Sequence, residues 1–470
     1  MRTLQLCLLL PPLAFLGSAC GGASAPPPAT DTVHPKSLIQ TQAAEVFQGQ
    51  QQLVSPDGTG SLATYSSATT VDTSGPFFQS LGTNGRSCAT CHVFSLGFSL
   101  TPAYVEQLFN VTKGQDPLFA SVDGTNSPNA PVVKKKDRYA ATSMLRTRGL
   151  IRVGLPIPAN AEFVLAQVDD PYHFASAAQL SLFRRPLPTT NLAFLSGVMW
   201  DGRETFSGQS IVQDLGHQAN DATLGHAEAA IPGLTADQEQ QIVAFETSLF
   251  TAQVADNAAG DLTANGTTGG ATNLSTQAFY LGINDVLGKD PTGAAFNPSA
   301  MTLFNAWAGS SDGAKAAVAR GEVLFNTRTF VVSNVKGLTD TLGVPQVTVT
   351  CTTCHDSPNV GNHSTALPLD IGLTDASRRT PDMPLYTLRN IATGETLQTT
   401  DPGRALITGK WKDIARFKGP ILRGVTSRAP YFHNGLAANL GEVLDFYNTR
   451  FGANFTAAEK SDFIAFLQTL

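Results

Sequence analysis

The chain has 470 residues, of which 42% are apolar and only 14% charged, with a net charge of −6. That length and apolar share allow two domains with proper cores, while the acidic balance argues against nucleic acid as a partner and permits a basic one. Of the six cysteines, four sit in two short motifs and the others, Cys7 and Cys20, lie in the first twenty residues, so the body has no thiol to spare for a disulfide.

In chain order, Arg2 precedes an apolar stretch from Leu4 to Leu16 that is too short to span a bilayer and ends in Gly17, Ser18 and Ala19 before Cys20. Residues 1–20 therefore read as an export signal, which places the mature protein in the periplasm or cell envelope. Cys20 stands where a bacterial lipoprotein carries its lipid, although Gly17 takes the place usual for Leu; ordinary cleavage near Ala25 is the competing reading. Residues 21–40, rich in Ala and Pro, read as a tether. A first domain is expected over 41–252, a connecting segment over 253–313 and a second domain over 314–470.

The first domain holds Cys88-Ala89-Thr90-Cys91-His92 and the second Cys351-Thr352-Thr353-Cys354-His355. Cys-x-x-Cys-His attaches c-type haem: two thiols one helical turn apart reach the two vinyl groups, and the adjacent His reaches the iron. A zinc site would need further Cys or His at compatible spacing, and a redox dithiol would not need the His. Two copies predict two covalently bound haem c groups, with His92 and His355 as iron ligands.

Val122 to Thr142, which includes Lys134-Lys135-Lys136, and Ala252 to Thr276 read as loops, the lysines as a solvated face. A repeat relates the halves: Leu234-Thr235-Ala236 leads into Ile242-Val243-Ala244-Phe245 at the spacing at which Phe455-Thr456-Ala457 leads into Phe463-Ile464-Ala465-Phe466. Thr235 with Gln238, and Thr456 with Glu459, fit capping boxes, so each half closes on a helix. Strand signals are sparse, Val347 to Thr350 being the best run. The expected fold is mainly α: two cytochrome c-type domains with long loops, each built round one haem.

Several further motifs carry a resemblance: Trp200-Asp201-Gly202-Arg203, Asp401-Pro402-Gly403-Arg404, Phe417-Lys418-Gly419-Pro420, Ala429-Pro430-Tyr431-Phe432-His433-Asn434-Gly435 and Asn439 to Asn448. With the two haem motifs, the chain resembles the bacterial dihaem cytochrome c peroxidase family, including its MauG-like branch, over about two thirds of its length; residues 94–187 are longer and less familiar. The resemblance implies an oxidoreductase in which Trp200 stands between the haems and relays electrons. It also implies Tyr447 as the distal ligand of the second haem, as in the MauG-like branch where peroxidases have Met, with His433 supporting the surroundings.

Around the first haem, no His lies between His92 and His173, so the usual second His is missing. The resemblance puts a Gln and an acid downstream of Trp200 to handle peroxide protons. Gln218 and Glu228 match, with Gln209 as an alternative. His226 is the candidate distal ligand or acid and base, ahead of His217. Arg185 and Arg428 fall where the family binds calcium, which argues against that ion here.

The implied activity is reduction of hydrogen peroxide, with electrons from a small redox protein such as a cytochrome c or copper protein. MauG-like peroxide-dependent oxidation of an external substrate and pure electron transfer are the alternatives. A dioxygenase acting on a hydrophobic polymer or lipid is a more distant one.

Overall fold

The computed structural model describes residues 47–68 and 70–470. The expected signal, tether and Cys20 anchor lie outside these residues. No helix among them is long and apolar enough to cross a membrane.

The two closing helices form as their sequences dictate. Thr235 and Gln238 exchange side-chain-to-backbone bonds of 2.9 and 3.2 Å at the start of Ala236–Thr247. Thr456 and Glu459 do the same, at 2.7 and 3.2 Å, at the start of Ala457–Leu467. Both satisfy donors that the first helical turn would otherwise leave orphaned. Phe463, Phe466, Leu467 and Leu470 are buried along one stripe, each large side chain contributing about 1.5–3 kcal/mol of burial. That stripe packs on the helix Gly313–Thr327. The helices touch so closely at Gly321 that a Cβ there would stand 2.0 Å from the carbonyl oxygen of Asp462.

Strands are far more numerous than the sequence suggested. In the first half, Gln52–Pro56, Gly60–Ser66, Leu249–Asp256 and Gly260–Asp261 form an antiparallel sheet in that order. Part of the expected loop 252–276 is thus strand, and Ala271–Ser275 is a helical turn. The other expected loop contains the helix Lys135–Ala141, with Lys134, Lys135 and Lys136 exposed. Small and polar residues such as Ala, Ser and Thr fill these strands, so the strand signal emerges only on pairing.

The run at Val347 does form a strand, Gln346–Val349, paired with Phe330–Ser333. Strand Leu385–Asn390 from the second half bonds both to Thr396–Thr399 and to Phe163–Asp169 from the first. The carbonyl of Leu470 accepts from Gln253 N at 3.1 Å and Gly424 N at 2.8 Å. The halves therefore share a sheet and a C-terminal anchor, and residues 47–470 lie within one packed unit.

Candidate functional site

Each Cys-x-x-Cys-His motif is a single capped helical turn. Ser87 N donates to Thr90 Oγ1 at 3.0 Å, and Thr350 N to Thr353 Oγ1 at 2.9 Å. The turn sets both thiols on one wall of a cavity, about 160 Å³ beside Cys88 and Cys91 and about 240 Å³ beside Cys351 and Cys354. All four thiols are free, and burial pushes each upward, Cys91, Cys351 and Cys354 to about 12.

The histidines are oriented alike. His92 Nδ1 meets Phe98 O at 3.2 Å, and His355 Nδ1 meets Gly361 O at 2.5 Å. A carbonyl can only accept, so Nδ1 carries the proton in each and Nε2 keeps its lone pair for another partner. Burial lowers His92 to about 4 and moves His355 in the same direction, which keeps both rings neutral. Two unpaired thiols and an imidazole with a free lone pair on one cavity wall fit a thioether-linked haem in each half.

In the first cavity, Gln218 and His226 join His92 on the lining. His226 follows the helix Ile211–Gly225 as its C-terminal cap. Its Nδ1 is bonded to Asp123 Oδ2, and Asp123 Oδ1 is bonded to Arg86 Nη1. Arg86 is itself anchored to the carbonyls of Pro117 and Leu118, both at 2.7 Å. Burial would raise the Asp123 carboxyl, but Arg86 and His226 hold it below the usual carboxylate range. Among the described residues, His226 Nε2 has no partner.

Other expected residues stand away from this cavity. Glu228, with φ of 56°, is exposed and accepts from Asn84 Nδ2 at 3.0 Å. Gln209 is exposed before the helix cap Ser210. His217 neighbours Gln218, but successive helical residues are about 100° apart, so it points outward against Phe206 and Glu204, at 4.8 Å between rings and 3.8 Å between ion-pair atoms.

Two further residues of this cavity are not legible in the residue pattern, Asp123 and Glu246. The latter lines the same cavity at 3% exposure, has an unpartnered Oε2 and is raised to about 8 by burial. No motif marks either one; only the packing of residues 94–187 and 236–247 against the Cys88 turn brings them in.

The second cavity is mainly apolar, with aliphatic and aromatic walls. Tyr447, on the helix Leu440–Phe451, shares its lining with His355, Phe325, Phe330, Phe451 and Phe455. Burial pushes the Tyr447 phenol upward, and the hydroxyl makes no hydrogen bond among the described residues. His433 stacks on Phe417, with ring centres 3.9 Å apart, and both its nitrogens lack partners. Burial brings it down to about 4.

Trp200 lines both cavities, as do Arg185 and Lys418. Its Nε1 donates to Arg185 O at 2.8 Å, and its carbonyl accepts from Lys418 N at 2.8 Å. The motifs around it interlock: Arg184 bridges Asp201 at 2.5 Å and Asp401 at 2.7 Å, and Arg404 donates to Asp201 O at 3.0 Å. Behind Trp200, the Arg185 guanidinium is caged by the carbonyls of Leu100, Arg148, Gly149, Arg428 and Ala429. Burial and the neighbouring Arg428 bring Arg185 down to about 9. These five carbonyls, one of them on Arg428 and one beside Pro430, accept from a side-chain cation.

No family model matches the chain. Cytochrome-c peroxidase IdrP1 of Pseudomonas sp. (strain SCT) is 30% identical over 140 residues, which is 26% of this chain and 36% of that protein. Cytochrome-c peroxidase IdrP2 of Denitromonas iodatirespirans is 31% identical over 134 residues, 26% of this chain and 35% of that protein.

Over about a quarter of its length this chain is similar to these cytochrome-c peroxidases. The match spans about a third of the length of each curated peroxidase. A solved MauG-like protein associated with microbial copper homeostasis aligns over 96% of this chain and 95% of its own, at 16% identity and a TM-score of 0.37. That superposition is too loose to carry an argument. Asp123 and Glu246 remain two buried acids that the motifs did not announce.

Proposed function

We propose that the chain is an exported dihaem c-type oxidoreductase that reduces hydrogen peroxide, with electrons passing between two covalently held haems. The observation that carries this reading is Trp200, which lines two cavities that each hold a Cys-x-x-Cys-His turn. Bound haem supplies a redox-active iron able to bind peroxide when its distal side is free or displaceable.

The chain's own residues do the rest. Cys88, Cys91, Cys351 and Cys354 hold the groups, and His92 and His355 present Nε2 to them. Reduction of one hydrogen peroxide to two waters takes two electrons and two protons. His226 Nε2 can take a proton from one peroxide oxygen and return it to the other, while Asp123 fixes the ring. Gln218 orients the substrate from the same helix. Trp200 relays electrons from the His355 half to the His92 half, and a small redox protein outside the cell membrane supplies them. Export, with lipid attachment at Cys20 or without it, belongs to the same proposal.

A second reading, MauG-like oxidation of an external substrate, is favoured by one observation: the unpartnered Tyr447 phenol on the second cavity. A phenolate ligand there stabilises ferric iron and disfavours simple electron entry. A pure electron-transfer protein would instead be inert to peroxide. Protein matured by a competent cytochrome c assembly system separates the three. Pyridine haemochrome and intact mass should report two haems, and stopped-flow mixing should show peroxide consumption with a reduced donor. A single haem would end the dihaem reading, and two haems inert to peroxide would leave electron transfer.

A further inference from the structure

The loop that follows His355 folds back against residues 281–290: Gly282 N donates to Ser364 O at 2.9 Å and Asn284 Nδ2 to Asp356 O at 3.0 Å. Asp285 and Asp356 are 0% exposed and His363 3%. One donor atom from each lies within 4.8 Å of the other two. His363 Nδ1 is 3.1 Å from Asp356 Oδ2, and Nε2 is 3.7 Å from Asp285 Oδ1.

These groups are held in place but not satisfied. Asp285 Oδ2 accepts from the backbone N–H of Leu287 at 2.9 Å and of Lys289 at 3.0 Å, and Oδ1 from Thr365 Oγ1 at 2.9 Å. Asp356 Oδ1 accepts from Ser364 N at 2.6 Å. Asp356 Oδ2, both His363 nitrogens, Asn362 Oδ1 and Ser364 Oγ make no hydrogen bond of good geometry, although the Ser364 hydroxyl and the Val286 N–H lie close to the Asp356 carboxylate and the Cys354 carbonyl close to the His363 ring.

Among the described residues, neither carboxylate has a Lys or Arg within ion-pair reach. Two carboxylates without a matching cation are costly to bury. An imidazolium bridging the pair would aim an N–H at each oxygen, and neither ring nitrogen does so.

We propose that Asp285, Asp356 and His363 bind one divalent cation of the zinc type. Two carboxylates balance its charge, and an imidazole beside them favours zinc or a similar borderline metal over calcium or magnesium, which prefer all-oxygen sets. Ser364 Oγ or Asn362 Oδ1 can complete the shell. The ion has a structural consequence: it ties residues 281–290 to the loop whose Gly361 carbonyl fixes the tautomer of His355. The proposal is independent of the peroxidase reading, and its readouts involve no turnover.

The test uses full-length, haem-loaded protein incubated with zinc sulfate, desalted and analysed for metals. About one zinc per chain should remain beyond the haem iron, and Asp285→Asn should retain less than about a tenth of it with both haem spectra intact. Should that variant not fold, titrating chelator-treated wild-type protein with zinc by calorimetry gives the same answer, with one saturable site expected. Zinc, and not calcium, should restore the melting temperature lost to the chelator. Absence of any saturable zinc site would overturn the proposal, and so would full zinc retention by Asp285→Asn.

Discussion

The two cavities begin from the same capped Cys-x-x-Cys-His turn and then diverge. Around Cys88 and Cys91 the walls bring in ionisable groups: His226 on Asp123, Asp123 on Arg86, and the buried carboxyl of Glu246. Around Cys351 and Cys354 the walls are mainly aliphatic and phenyl side chains; Arg185, Lys418, Arg428, the Tyr447 hydroxyl and the stacked His433 stand among them, and no carboxylate among the described residues lines the cavity. Identical attachment chemistry thus leaves the surroundings free to set the role. A wall that can hold and move protons suits bond cleavage in peroxide, and a more apolar wall without carboxylates suits a centre that stores or passes electrons.

The sharpest way to break this contrast is His226→Ala. Loss of a positioned acid and base should lower kcat/KM for peroxide by about 10²–10⁴-fold, whereas Tyr447→Phe should chiefly alter the low-spin haem spectrum. If Tyr447→Phe leaves both the spectrum and the peroxide reaction unchanged, Tyr447 is not a ligand and the MauG-like reading loses its support. Asp123→Asn should cost about 10–100-fold in the same peroxide assay, the usual range for removing the carboxylate behind a functional His, with a displaced pH profile that a merely structural role would not produce.

Trp200→Phe probes the junction between the cavities. It should preserve both haem spectra and slow electron exchange by about tenfold, equivalent to about 1.4 kcal/mol of barrier; unchanged exchange in flash photolysis would reduce Trp200 to core packing. The smallest expected effects are on stability alone. Gly321→Ala forces apart the helices Gly313–Thr327 and Ala457–Leu467 and should cost about 1–3 kcal/mol. Thr456→Ala removes a cap worth about 1 kcal/mol. Both are read from denaturant midpoints, and neither should touch the first cavity.

What was legible in the sequence was local. The Cys-x-x-Cys-His turns and both capping boxes each depend on residues a few positions apart, and each forms as expected. Trp200 was found through its flanking motif, and its place on both cavities was not derivable from spacing. Asp123 lies 103 residues before His226 and within the least familiar segment, so nothing short of the folded chain pairs them. Glu228 matches by chemical type and order along the chain, yet it is exposed, with a φ of 56°. The strand pair Gly60–Ser66 and Leu249–Asp256 joins the two ends of the first half, and its Ala, Thr and Ser residues carry little periodic signal.

Arg185 fastens three separate stretches of chain, at Leu100, at Arg148 and Gly149, and at Arg428 and Ala429, through a cation that is covalently part of the backbone's own sequence. Such a joint has no dissociation constant. Dilution, chelators and the ionic composition of the medium have no purchase on it, and its occupancy is one from the moment the chain folds. The carbonyl of the same residue receives the Trp200 indole, so one residue both ties these stretches together and positions the side chain at the junction of the two halves.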